Sequence, residues 1–556
     1  MMKKIIYLAF IALTVFISSC GEDFLDTQNL TEKDLDNFYT TPQDIDEALA
    51  GVYTCLYMTE GVFGDQGLVG NILSDGMLCG GGSDDKSAKR IEFWEDPTED
   101  TYISSWNTNY KGIFRANIII DRFDQAEYDN EDERNQALGE AHIMRAFFYF
   151  RLTQFFGGVP IITDPSMEPN QPRGTIDETY AQIASDLKMA IEIMPRTSAT
   201  AISSDRLGHT NIWVAEALMA RVYLFYTGYS SNVLGQSKDA LPLADGGSVS
   251  KADVSGWISD MIASSGHALN ADPRSNWPYA NATNYGYAYG INEGLVWAGE
   301  DGANLETVFS IKYSAYGNYD HNAGHEAWVN RLCLYQGIRD NSMVPFGQGW
   351  GWNTVNPQLW NAFDDADIRK KGSIIDLSDA DEGTAGYSGG KGDHETGYWN
   401  KKYTNIQYDA GTGEGIAGMF YFIFGGTKDM QLWHMQDHIL IRYADVLLMA
   451  AELGVDAQAN MDAIRTRANM SSVAPTLENI KAERRLELCF EGLRYYDLLR
   501  WGDAESALTA VNVTVSNYGV DEPFNGVYRS ETNGLLPIPE SQVRLSEGVL
   551  IQNPGW

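Results

Sequence analysis

Glu483-Arg484-Arg485-Leu486-Glu487-Leu488-Cys489-Phe490-Glu491-Gly492-Leu493-Arg494-Tyr495-Tyr496-Asp497-Leu498-Leu499-Arg500-Trp501-Gly502 is the stretch that decides how this chain is read. Large apolar side chains are interleaved with charges, which predicts one long helix. Arg484–Glu487, Glu491–Arg494, Arg494–Asp497 and Asp497–Arg500 are i,i+3 pairs, so on such a helix each would face its partner. On its own this describes a structural helix laced with ion pairs.

Working outward, the chain carries further helical signals. Gly139–Phe156 is apolar on nearly every face (Ile143, Met144, Phe147, Phe148, Phe150, Leu152, Phe155), which predicts a fully buried helix stopped by Gly157-Gly158-Val159-Pro160. Arg173–Pro195 reads as an amphipathic helix with Tyr180, Ile183, Leu187, Ala190 and Ile191 on one stripe, and residues 211–228 as a third helix rich in small side chains. In 442–454 the apolar positions Tyr443, Val446, Leu447, Ala450, Ala451 and Gly454 keep helical spacing throughout. Thr40 or Thr41 is placed to cap a first helix at Pro42.

The N-terminus is a processing signal. Lys3 and Lys4 precede an apolar run from Ile5 to Ile17, too short for a bilayer span of roughly 20 residues but suited to secretion. Ile17-Ser18-Ser19-Cys20 then has the form of a bacterial lipobox, so Cys20 is the expected lipidation site and the mature protein is tethered to a membrane, not spanning it. The formal charge of −36 over 556 residues repels phosphate backbones and argues against nucleic acid. Beyond Cys20 only Cys55, Cys79, Cys333 and Cys489 remain, with no zinc-like spacing, so neither a disulfide framework nor a metal cluster is implied. No phosphate-binding loop, nucleophile elbow or dinucleotide fingerprint occurs, and no cofactor is expected.

The opening motif, E-R-x-x-E-L-x-F-E-G-x-R-x-x-D-L-x-R-W-G, resembles the C-terminal hallmark of SusD/RagB proteins, the outer-membrane nutrient-binding lipoproteins of Bacteroidetes. Further blocks agree in order: Arg145-Ala146-Phe147-Phe148-Tyr149-Phe150 through Pro160, Asp186-Leu187-Lys188-Met189-Ala190, Arg442-Tyr443-Ala444-Asp445-Val446-Leu447-Leu448-Met449-Ala450-Ala451-Glu452, Leu536-Pro537-Ile538-Pro539 and the ending Gln552-Asn553-Pro554-Gly555-Trp556. The resemblance implies a mainly α, SusD-like fold: four tetratricopeptide-like helix pairs as scaffold, plus a loop-rich region with short strands that carries the ligand site. The implied organisation is a signal peptide (1–19), a lipidated tether (20–45), an N-terminal region with helical repeats (46–228), a loop-rich recognition region (229–437) and a C-terminal helical region (438–556).

Sugars offer C–H faces and rings of hydroxyls, so their sites need flat aromatic surfaces and planar polar groups. Gly347-Gln348-Gly349-Trp350-Gly351-Trp352-Asn353-Thr354-Val355-Asn356-Pro357 fits, because glycines around Trp350 and Trp352 would leave the rings accessible. Phe93-Trp94 is a second candidate, and Tyr313, Tyr316 and Tyr319 follow the strand-like Thr307–Ile311. The resemblance implies a glycan site built from an early loop, holding Asp75 and Trp94, and a later one, holding Trp350 and Trp352. Arg369, in the block 362–369, joins the candidates against the competing reading of a structural ion pair. The expected ligand set is Asp75, Trp94, Tyr316, Trp350, Trp352 and Arg369. Trp106, Trp213 and Trp501 are expected in the core. His321/His325 and His434/His438 have helical metal-ligand spacing but lack a third ligand, so no metal site is expected.

By resemblance, the function is non-catalytic capture of an oligo- or polysaccharide, with a neutral glycan favoured by the charge, and delivery to a SusC-like TonB-dependent transporter. Two alternatives are weighed. A RagB-like peptide binder would share the fold and the transporter but line its site with charges. A surface glycoside hydrolase would need two carboxylates at defined separation, and no pair stands out.

Overall fold

The computed structural model describes residues 38–57, 66–95, 100–299, 304–314, 316–319, 328–339, 345–382, 387, 389–404, 406–409, 415–417, 429, 431–432 and 434–556. The lipobox with Cys20, and His321 and His325, lie outside the described residues.

The scaffold is a run of helices whose starts are written in their cap residues. α1 (Pro42–Tyr53) opens on a reciprocal capping box between Thr41 and Asp44. α2 (Ile103–Arg122) packs against α3 (Glu131–Phe156), which starts at an Asn130 cap, a full two turns before Gly139. Its first turns are exposed and acidic (Glu131, Asp132, Glu133), so the apolar pattern alone understates its length. From Gly139 to Phe156 nearly every side chain is buried, and Gly157 ends the helix at φ 72°. α4 (Ile176–Ile193) begins at a second capping box, Thr175 with Glu178, and α5 (Ile212–Asn232) at Asn211. α6 (Lys251–Ser264) follows, started by a third box between Ser250 and Asp253. It lies in the region expected to be loops, and its buried stripe of Val254, Ile258 and Met261 packs on α5. A six-residue helix α7 (Arg331–Gln336) stands alone among loops. The C-terminal helices are α8 (Tyr443–Leu453, closed by Gly454 at φ 89°), α9 (Ala457–Arg467), α10 (Leu477–Glu487), α11 (Arg494–Trp501) and α12 (Glu540–Leu545). α8 packs on α5, α6, α9 and α10, joining the C-terminal region to the scaffold. Trp106, Trp213 and Trp501 are buried, as expected.

The expected single helix over 483–502 is two helices. The chain turns sharply after Glu487, with Phe490 at φ 69° and Gly492 at φ 75°. Gly492 sits so close to Gly67 that a Cβ there would fall 2.3 Å from the Gly67 Cα. Asn71 braces the bend, donating to the Phe490 carbonyl (3.0 Å) and accepting from the Gly492 amide (3.0 Å). The bend redirects the charges. Of the four i,i+3 pairs, Asp497–Arg500 forms, at 2.9 Å, while the other three sets of charges take distant partners. Glu487 meets Arg369, Arg442 and Arg467 at 2.6–2.7 Å. Glu491 meets Lys402 and Arg442, and Arg484 meets Asp445 and Asp497. These side chains are buried, so the lattice is a clamp that ties α10 and the bend to segments as far as 118 residues away.

Short strands complete the fold. Met77–Leu78, Thr354–Val355, Tyr398–Asn400 and Ile374–Asp376 form an antiparallel sheet in that order. Thr307–Ile311 pairs antiparallel with His438–Arg442, delivering Arg442 to the clamp. Because His438 is in a strand and His434 in irregular chain, this pair does not have the helical geometry its spacing allows. Among the described residues no helix is long and apolar enough to cross a membrane.

Candidate functional site

Four of the six expected ligand residues are in the interior. Trp94 is 3% exposed and surrounded by Tyr495, Tyr528 and Trp556, with the Trp556 ring stacked at 6.3 Å. Trp352, 5% exposed, lies flat on Tyr335 at 5.1 Å between ring centres. Neither indole keeps a face for a sugar. Asp75 is buried and gives both carboxylate oxygens to Arg494 (2.7 and 3.0 Å), with Arg485 at 3.0 Å. Burial pushes its carboxyl upward, but the two guanidiniums overcome this and hold it below its usual value. Arg369 is locked between Asp367, Glu483 and Glu487, so the ion-pair reading describes it. Tyr316 and Trp350 are different: Tyr316 is 73% exposed and Trp350 is half-buried.

Trp350 is placed by backbone. Ile338–Arg339 pairs in parallel with Gln348–Gly349, and the next three amides continue the zipper: Trp350 to the Leu334 carbonyl (2.8 Å), Gly351 to Gly337 (2.9 Å) and Trp352 to Tyr335 (2.7 Å). Gly337 and Gly349 make this approach possible, since a Cβ on Gly349 would lie 2.4 Å from the Gly337 Cα. The glycines therefore serve close packing of two backbones, which in turn fixes the indole. Its ring leans on Tyr335 (5.1 Å, 57°). Arg331, at the start of α7, spreads over both rings at 5.6 and 5.9 Å, with its Nε donating to the Tyr335 hydroxyl at 3.0 Å.

The neighbouring loops meet here. The Ser314 amide donates to the Trp328 carbonyl (2.8 Å), and the Ser314 hydroxyl accepts from the Tyr316 amide (3.2 Å). Tyr319 donates to Asp429 at 2.7 Å. Partial burial and that carboxylate push the phenol up to about 12, and the nearby Arg331 charge opposes them. The early loop joins as well, though through glycine and not through Trp94. The Gly81 amide donates to the Gly351 carbonyl (2.8 Å), and Arg339 donates to the Trp350 carbonyl (3.0 Å) while facing Asp85 at 3.8 Å. Lys89 closes onto Asp393.

The resulting face offers an indole braced from behind, exposed phenols, a guanidinium and a carboxylate. Such a surface can stack on a ring and hydrogen-bond to hydroxyls. Among the described residues no group of three His, Cys, Asp or Glu could hold a metal, and Cys55, Cys79, Cys333 and Cys489 are buried free thiols. Sequence reasoning missed Arg331, Tyr335 and Asp429. The i,i+4 spacing of Arg331 and Tyr335 was the available signal for the first two, and nothing local marks Asp429.

The chain is thus a helical scaffold carrying an aromatic loop face beside short strands. Residues 23–224 match the family described as starch-binding associating with outer membrane, and residues 305–556 match the SusD family. The chain belongs to the SusD family. It is 23% identical to SusD-like protein P38 of Formosa agariphila, over 92% of this chain and 93% of that protein. Among solved structures it is similar to a laminarin binding SusD-like protein (26% identity, TM-score 0.71, 93% of this chain and 100% of that one). It also shares the fold of surface glycan-binding protein A from Bacteroides fluxus (24%, TM-score 0.72, 93% and 100%).

Proposed function

We propose that this protein is a cell-surface lipoprotein that captures a neutral glycan on the Trp350 face, without catalysis, and passes it to a SusC-like TonB-dependent transporter. The observation that carries the reading is the half-buried Trp350, held by a glycine-permitted backbone zipper and braced by Tyr335 and Arg331. A fixed indole loses little conformational freedom when a sugar ring settles on it, so stacking is converted into affinity efficiently. Arg331, Tyr319 and Asp429 supply hydroxyl partners beside it. The laminarin-binding relative makes a β-glucan the first ligand to try. The lipobox and the family's description support an outer-membrane location and a lipid on Cys20.

The test is affinity electrophoresis and calorimetry of the soluble protein on a panel of neutral polysaccharides that includes laminarin, with product release monitored in parallel. Binding without release of shorter sugars is the expected result. Failure to retain any neutral glycan, or cleavage proportional to protein, would reject the reading.

A further inference from the structure

An open groove of about 580 Å³ lies away from the Trp350 face, on the scaffold between α2, the irregular segment after α3, and the C-terminal residues around α12. Phe114 of α2 is 49% exposed at its edge and Leu545 is 73% exposed opposite. Apolar side chains left open in this way mark a surface that something covers.

The chemistry of the lining narrows what covers it. Several of its polar side chains hold the wall: Tyr110 donates to the Pro160 carbonyl (2.8 Å), Asn117 to Ile162 (2.8 Å) and Asn170 to Ser546 (3.2 Å). Apart from Asn107, Lys111, Gln171, Gln542 and Ser546 the rest of the lining is apolar, which suits aliphatic and aromatic side chains better than a sugar. Among the described residues lining it there is one charged side chain, Lys111, and no carboxylate. In a chain with 76 acidic residues, a groove without any carboxylate can accept an acidic polypeptide without self-repulsion.

We propose that residues 21–37, which lie outside the described residues, dock in this groove. Their sequence combines the apolar side chains Phe24, Leu25, Leu30 and Leu35 with six carboxylates (Glu22, Asp23, Asp26, Glu32, Asp34, Asp36) and one lysine, Lys33. That is the complement of the lining: apolar side chains for the groove, and acids that meet Lys111 at its edge. Reach permits it. The described chain begins at Phe38, and Tyr39 lies near Arg115 and Arg122 of α2, beside the stripe that carries Lys111. Crossing one helix takes about 10–12 Å, and about 17 residues span up to ~55 Å when extended. Docking would fix which face of the protein stands nearest Cys20.

The test is disulfide trapping in the full chain carrying Cys20→Ala, whose remaining cysteines are buried. Leu25→Cys, Leu30→Cys or Leu35→Cys is each paired with Leu545→Cys, and as control with Met189→Cys, an exposed position on α4 away from the groove lining. At one of the three positions the groove pair should close within one chain at least about tenfold faster than its control. A second measurement covers misfolded pairs: Phe24→Ser/Leu25→Ser/Leu30→Ser should speed hydrogen exchange in 106–117 and 542–551 and nowhere else in the scaffold. Equal closure rates, disulfides between chains (a second copy in the groove), or unchanged exchange would each overturn the proposal.

Discussion

Replacing Trp350 by Ala should abolish glycan binding while leaving the fold intact, and replacing Trp94 should do the reverse. An indole carries about 150–250 Å² of surface, and Trp350 is half-buried against Tyr335 and Arg331. About 80 Å² at most is therefore left for a sugar ring, worth up to about 2 kcal/mol at ~25 cal/mol per Å². At 1.4 kcal/mol per decade this is a loss of up to roughly thirtyfold. A shallow surface site with weak starting affinity would then show no retention in affinity electrophoresis. Trp94 is enclosed by Tyr495, Tyr528 and Trp556 and touches no ligand face, so Trp94→Ala opens a cavity costing about 3–5 kcal/mol. Trp352→Ala belongs with Trp94. Melting and binding measured on all three variants separate the two roles. Full retention of glycan affinity in Trp350→Ala, with binding lost in Trp94→Ala at temperatures where it is folded, would refute the site.

Gly349→Ala should weaken glycan binding by pushing Gly337 and Gly349 apart and unseating Trp350, a change checked by calorimetry with Trp350→Ala as reference. Glu487→Gln removes the carboxylate shared by three guanidiniums, so chemical unfolding should show a loss of about 3–5 kcal/mol, and a loss under 1 kcal/mol would contradict the clamp. Acid should weaken the fold through Glu452: burial pushes its carboxyl up, but Arg500 more than reverses this and brings it down to about 2 from an ordinary 4.5. A carboxyl depressed on folding gives stability that is complete above about pH 4.5 and fades as pH falls toward 2; in Glu452→Gln that stretch of the stability–pH curve should be flatter. Cys20→Ala should move the protein from the membrane to the soluble fraction without lowering its melting temperature, and persistence with outer membranes would remove the lipid-anchor reading.

The helices of the scaffold and the identity of the family were legible in the sequence because their signals are local. Thr41 with Asp44, Thr175 with Glu178 and Gly454 act within one turn of the helix they start or stop, so neighbouring residues suffice to place them. The buried run in α3 was equally plain, since a helix apolar on all sides can only be interior. What failed was everything that depends on residues distant in the chain. Arg484, Glu487 and Glu491 have helical partners in sequence, yet a bend allowed by Gly492 against Gly67 sends them to Arg369, Arg442, Asp445 and Lys402. Trp94 sits in a polar stretch after a glycine loop and Trp350 and Trp352 sit among glycines, but two of the three are sealed by rings from elsewhere in the fold and one is left partly open. Charge and aromatic type were set by the sequence. Which of those groups meet water, and therefore a ligand, is a property of packing, and only the tertiary structure decided it.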